Sequence, residues 1–432
     1  MHSFTRRRAL VVAAVGVAAL VGTTGCSPTA GSGSTGSGGT VNLSLQIWNP
    51  TDKPGVQKAI DGFQAANPTI HVTLEQVPED QYYTKLDASL GAGSGPDVMW
   101  QSSKAPYYVK GGALQPLDEY IKRDNLTLKD LYPQQITNLY NFDGKQYGIP
   151  KDQDVWMWVY NTAVFKKLGV TDVPTANWTW DDMVRIAGEL KAKTSAPSMY
   201  YGYVLNGPVS SIIRSLGGTV VQDSKGTVNS PQGIEAFKKV KDLQDQGLIP
   251  AVKDSGDFNA PTSLIAGNIG MSRIPSYLLS LLSKANVPAG TFVAVPTPSI
   301  NGSHASDTNG LSYVMNANSS HKDEAWKLIK YLTSDEGAKL HAEGGAAQPA
   351  NLSSDVKAAY FKANSSIAGL QETFNKMLPD QYLRTTTEFP ATRAVFAELE
   401  STATAPFFAG SLTAEQAAQK ADGLLTKSFL SK

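Results

Sequence analysis

Residues 147–161 read Tyr-Gly-Ile-Pro-Lys-Asp-Gln-Asp-Val-Trp-Met-Trp-Val-Tyr-Asn. Asp152 and Asp154 stand at alternate positions immediately before an apolar and aromatic run, and Gly148 and Pro150 break the backbone ahead of them. Carboxylates beside indoles suit a polyhydroxylated ligand: hydroxyls donate to carboxylate oxygens, and the apolar faces of a sugar ring stack on aromatic rings. The same two acids fit a second chemistry. Side chains at i and i+2 of a strand stand about 6–7 Å apart, a spacing that also serves the paired carboxylates of a glycoside hydrolase. Nothing nearby marks one of them out as the proton donor such an enzyme needs. Other enzyme signatures are missing. The five histidines, His2, His71, His304, His321 and His341, show no metal-ligand spacing, and Gly91-Ala-Gly-Ser-Gly95 lacks the Lys-Ser/Thr ending of a phosphate loop. No Gly-x-Ser-x-Gly elbow is present. The expectation is a binding site without metal or cofactor.

For Asp154 and Trp156 to face a ligand, the chain around them must cross a gap. A strand that leaves one lobe, bends at Gly148-Ile149-Pro150 and enters a second lobe achieves this. The flanking sequence supplies such lobes. Val41, Leu43, Leu45 and Ile47 alternate with polar residues as a half-buried strand ending at Trp48. After a turn-rich piece from Asn49 to Gly55, Val56, Ala59, Ile60 and Phe63 fall on one helical face, and Ile70, Val72 and Leu74 alternate again. This is a βαβ unit with parallel strands. A helix carrying Tyr82, Tyr83 and Leu86 then leads to a short strand, Asp97 to Trp100. Ligands of parallel sheets bind beyond the carboxyl ends of strands, here Trp48 to Lys53 and Trp100 to Lys104.

Beyond the crossing, Thr179 with Asp182 opens a helix through Lys191, and Ser230-Pro231 opens another that ends before Gly247. Residues 217–228 pattern as a hairpin, 266–271 as a strand leading to Tyr277, and 292–295 as another strand. Ser312 to Asn316 is a strand that returns to the first lobe, followed by a helix from Lys322 to Leu332. The rest, from about Asn351, reads mostly helical.

The chain has 432 residues, room for roughly two or three domains. Basic and acidic residues both number 38, which gives no basic face for nucleic acid. The single cysteine is informative by position. Arg6-Arg7-Arg8 precedes an apolar run, Ala9 to Val21, of signal-peptide length and too short to span a bilayer. Thr24-Gly25-Cys26 places Cys26 where a lipoprotein signal is cleaved and the new terminal cysteine acylated. Thr23 stands where leucine is usual, and Thr5-Arg6-Arg7 resembles a twin-arginine signal. Loss of residues 1–25 removes those three arginines and leaves 35 basic against 38 acidic residues. Residues 26–40 are small and polar, a flexible tether. The expected location is the outer face of the cytoplasmic membrane, through a lipid on Cys26.

Seven motifs in order resemble the extracellular family 1 solute-binding proteins, the sugar-capturing components of ABC importers related to maltose-binding protein. They are Leu45-Gln-Ile-Trp48, Gly95-Pro-Asp-Val-Met99, Gly112-Ala-Leu-Gln-Pro-Leu117, Tyr147-Gly-Ile-Pro150 with Tyr160-Asn161 and Phe165, Trp180-Asp181-Asp182, Ala266-Gly-Asn-Ile-Gly-Met271, and Glu324-Ala-Trp326 with Ser334-Asp-Glu-Gly337. The resemblance implies a two-lobed, periplasmic-binding-protein-like α/β fold of type II, each lobe a sheet flanked by helices. It implies crossings near Tyr147–Asp154, Ser306–Asn309 and Ala347–Asn351, with residues 41–150 plus 308–347 as lobe one and 151–307 plus 348–432 as lobe two. It implies a monomer that closes on a carbohydrate and docks on permease subunits. Carried onto matching positions, its ligand residues are Trp48, Asp52 and Lys53; Trp100, Gln101 and Ser102; Asp154 with Trp156; Tyr277; and Asn309 with Gly310. Ser-Arg-Ile-Pro-Ser between Met271 and Tyr277 lacks the Gly-Pro-Trp of some relatives. Arg273 pairs with an acidic sugar or, more in keeping with its surroundings, with an acid of its own lobe. Arg384 and Phe389 lie where relatives reach the cleft but align poorly.

Overall fold

A computed structural model describes residues 39–102, 104–203, 205–254, 258–383 and 393–430. The leader 1–25, Cys26 and the tether up to residue 38 lie outside the described residues, as do Arg384 and Phe389.

Two sheets organise the rest. The first contains β1 (Val41–Ile47), β2 (Ile70–Gln76), β3 (Val98–Gln101), β4 (Gly148–Pro150) and β10 (Ser312–Met315), in the spatial order β2-β1-β3-β10-β4. β1 runs parallel to β2 and β3, as the βαβ pattern requires, while β10 is antiparallel to both β3 and β4. The second sheet is built on β5 (Asp154–Asn161), with β6 (Met199–Tyr200), β7 (Met271–Pro275), β8 (Phe292–Val295), β9 (Ser306–Asn309) and β11 (Gln381–Leu383). β5 is antiparallel to β7 along one edge; along the other, β9 takes its first two residues and β8 its last four. Its side chains are nearly all buried, which is why it reads as a continuous apolar run.

The chain therefore passes between the sheets twice, through Lys151-Asp152-Gln153 between β4 and β5 and through Gly310-Leu311 between β9 and β10. A third segment lies alongside: Asp152 bridges Pro349, and the Gln153 N–H donates to the Gln348 carbonyl at 3.0 Å.

Helices cover the sheets. α1 (Lys53–Ala66) and α2 (Glu79–Gly91) follow β1 and β2. α3 (Trp180–Lys191) starts with the expected capping box, Thr179 and Asp182 bonding each other's backbone N–H. α4 (Pro231–Asp245) has Ser230 as its cap and Pro231 in its first turn. α5 (Lys322–Thr333) buries Trp326 against the first sheet. α6 (Asp335–Ala342) touches both sheet systems: its Ala338 and Ala342 pack in one core with Val155 and Tyr360, while its His341 meets α1.

Three local readings change. The turn at 49–55 is shorter than its composition suggests, because Pro54 fits the first helical turn and α1 begins at Lys53. Residues 266–270 are not a strand; the segment Ala260–Ile265 is helical, Gly267 turns the chain at φ +71°, and β7 begins only at Met271. The largely helical C-terminal part contributes one short strand, β11, parallel to β9.

Candidate functional site

The ends of both sheets open onto one cavity of about 550 Å³. Trp48 follows β1 and Ser102 follows β3 on one wall; Asp154 begins β5, Tyr277 follows β7 and Asn309 ends β9 on the other; Asp152, Gln153, Gly310 and Leu311 come from the crossings. The Asn309 side-chain amide donates to the Ser102 hydroxyl at 3.2 Å, joining the two walls.

The walls are stiffened from behind. Trp48 is half-buried and packs edge-on against Tyr82 and Trp100, with ring centroids 4.8 and 5.3 Å away. The Tyr82 hydroxyl on α2 donates to the Trp100 carbonyl at 2.9 Å, which fixes the carboxyl end of β3. The Tyr140 hydroxyl lies 2.6 Å from the Gln101 carbonyl and 2.7 Å from that of Gly310, tying the second crossing to β3. Gly310 is required by this packing: a Cβ there would run into the Asp152 carbonyl oxygen and stand 2.5 Å from Ile136. On the opposite wall Tyr277 meets the Trp156 ring edge-on at 6.3 Å, and the Arg273 guanidinium lies 4.1 Å from the Trp156 ring centre. Arg273 in turn is ion-paired with Asp307, both buried.

Charge at the first crossing is concentrated in one buried group. Lys151 Nζ stands 2.6 Å from Asp152, 3.7 Å from Asp52 and 4.0 Å from the centre of the Trp100 ring. His341 Nε2 donates to Asp52 at 2.9 Å, since a carboxylate only accepts, and the Asn49 amide donates to the other Asp52 oxygen at 2.8 Å. Burial works against the charged form of Asp52, but Lys151 and the His341 hydrogen bond outweigh it and hold the carboxyl below its usual range. For Lys151 burial opposes the charge, and Asp152 with Asp52 reverses the balance and raises the ammonium above its ordinary value. The Asp152 Oδ1 accepts the Leu311 N–H at 2.7 Å, which ties the first crossing to the second, and Asp154 at the start of β5 accepts the N–H of Asn309 at the end of β9.

Of the residues singled out in the sequence, Trp48, Asp52, Ser102, Asp154, Tyr277, Asn309 and Gly310 line the cavity. Four do not. Lys53 is exposed on the first turn of α1, because the helix begins there and turns its side chain to solvent. Trp100 is fully buried beneath Trp48 and Lys151, and Gln101 is fully buried at the end of β3; both are wall supports. Trp156 stands outside the lining, edge-on to Tyr277 with Arg273 against its face. Arg273 takes an acid of its own sheet, Asp307. Sequence reasoning missed Lys151, His341, Gln153, Gln348 and Glu79. Lys151 is legible as the one cation beside two acids; His341 reaches the site only through the packing of α6 on α1.

The model of the bacterial extracellular solute-binding proteins matches residues 48–339. The chain belongs to that family. Among relatives of this solute-binding protein, a binding protein of Brucella abortus (strain 2308) is 26% identical over 409 residues, covering 90% of this chain and 94% of its own. The multiple sugar-binding protein of Streptococcus mutans is 26% identical over 305 residues, covering 64% and 67%. The fold is shared with the ABC substrate-binding protein of Listeria monocytogenes solved in complex with cycloalternan, at a TM-score of 0.77 and 20% identity over 90% of this chain and 98% of that one. Among the described residues no helix is long and apolar enough to cross a membrane.

Proposed function

We propose that this solute-binding protein captures a sugar or oligosaccharide between its lobes and delivers it, unaltered, to the permease of an ABC importer. The carrying observation is the cavity, where Asp52, Asp152 and Asp154, the amides of Gln153, Asn309 and Gln348, and the rings of Trp48 and Tyr277 converge from both sheets. Carboxylates and amides pair with hydroxyls, and the two rings give apolar faces to stack on. That the Streptococcus mutans relative is a multiple sugar-binding protein, and that the Listeria monocytogenes protein was solved in complex with cycloalternan, supports the same reading.

Trp48, Asp52, Ser102, Asp154, Tyr277, Asn309 and Gly310 are the proposed ligand contacts. We take the site to bind without chemistry, because Asp152 accepts the Leu311 N–H and holds Lys151 while Asp154 accepts the Asn309 N–H of β9, an arrangement for positioning rather than proton delivery. The lobes are 41–150 plus 310–347 and 151–309 plus 348–432, the return lying after β9 rather than at residue 308 because Thr308 and Asn309 pair with Val155 and Asp154 in the second sheet, and the protein acts as a monomer held to the outer face of the membrane by a lipid on Cys26. A thermal-shift screen over carbohydrates tests the function, since a ligand that binds only the folded state raises its apparent stability. The bound sugar is then recovered and weighed by mass spectrometry. An intact sugar is expected; a shortened one would mean hydrolysis. Fractionation of cells producing Cys26→Ser tests the anchor: the variant should leave the membrane pellet, and its retention there would refute a lipid on that residue.

A further inference from the structure

Resting on the reading of this cavity as the solute site, we infer that the cavity selects by charge: it takes neutral or cationic solutes and rejects carboxylated or phosphorylated ones. Among the described residues that line it, Asp52, Glu79, Asp152 and Asp154 are acidic, and none is Lys, Arg or His. Lys151 and His341 lie behind the wall and are engaged with Asp52 and Asp152. Among the described residues, Asp52, Asp152 and Glu79 outnumber the buried ammonium of Lys151, so this part of the wall carries an excess of negative charge.

Two features of the fold would ordinarily favour anions. The N-termini of α1 and α2, adjoining β1 and β2, both open at the cavity, and helix N-termini attract negative charge. Here the protein supplies that charge itself. Asp52 occupies the cap position of α1, and Glu79 and Asp80 occupy the first turn of α2. An incoming carboxylate would meet these acids at short range inside a cavity whose buried walls screen charge less than water does. Hydroxyls and ammonium groups meet acceptors instead, and the neutral lining of Gln153, Asn309 and Gln348 adds both donors and acceptors without net charge.

The test uses the mature protein and matched sets that differ in one group: glucose, glucosamine and glucuronate; galactose, galactosamine and galacturonate; and, outside sugars, a polyol, its amino alcohol and its hydroxy acid. Affinities are measured by calorimetry at low ionic strength for every set with a member that raises the melting temperature, and for the neutral, amino and acid congeners of the best ligand from the wider screen. The acid member should bind at least about tenfold more weakly than its neutral or amino partner. Glu79→Gln, a change at the exposed rim, should narrow that ratio, and added salt should narrow it further. An acid member that binds as well as or better than its partners overturns the inference, as does a ratio that neither salt nor Glu79→Gln changes. Binding confined to the non-sugar sets would sink the sugar reading while leaving charge selection to be decided by the same ratio.

Discussion

Replacing Lys151 by methionine is the most demanding test of the crossings. The side chain is 1% exposed and its ammonium lies 2.6 Å from Asp152 and 3.7 Å from Asp52. At an effective dielectric constant of about 20, unit charges at these separations attract by about 6 and about 4 kcal/mol. Desolvation of three charges offsets much of this, but the variant keeps both carboxylates buried and removes their counter-ion, a change that costs about 3–5 kcal/mol. Set against a total stability of about 5–15 kcal/mol, urea denaturation at pH 7 should show a large fall in midpoint. Acid adds a sign. In the parent protein the Asp52 pKa is depressed on folding, so its contribution is present above the unfolded value of about 4 and is lost as pH falls through the folded value. In the variant burial prevails, the folded pKa rises above the unfolded one, and the penalty is relieved as pH falls. The deficit should therefore shrink between pH 7 and pH 4. A deficit below about 1 kcal/mol, or one that grows towards acid, would refute the cluster as described.

Asp154→Ala and Tyr277→Ala should each weaken the best sugar by about tenfold or more, about 1.4 kcal/mol, in calorimetric titration; unchanged affinity in both would place the site elsewhere. Trp100→Ala should cost about 3–5 kcal/mol of stability, measured by denaturant unfolding, because it empties a fully buried space under Trp48. Gly310→Ala forces its Cβ against the Asp152 carbonyl and Ile136 and should cost about 1–3 kcal/mol in the same assay; a neutral substitution would mean that the crossings are not packed as closely as they stand. Saturating ligand should contract the protein in solution scattering, and an unchanged profile with a ligand that demonstrably binds would refute lobe closure.

Much of this architecture can be read from local pattern. The alternation of Val41 to Ile47, the helical face from Val56 to Phe63 and the capping box at Thr179 each state their own structure, because the signal and the cause lie within a few residues. The break at Gly148-Ile-Pro150 marks the passage between sheets for the same reason. The site is less legible. Trp48 and Trp100 look alike at strand ends, yet one lines the cavity and the other is buried under it, a distinction set by Lys151 and by the strands on either side. His341 lies 289 residues from Asp52 along the chain and joins it only because Gly55 lets α6 approach α1. Contacts of that range leave no periodic trace.

The position of β10 between β3 and β4 has a consequence for how the polypeptide is made. A ribosome that has delivered Pro150 has released four strands of the first sheet, but β4 finds its partner only in Ser312–Met315. The first sheet therefore stays incomplete until the whole of β5 to β9 has been synthesised and β10 arrives to join β3 to β4.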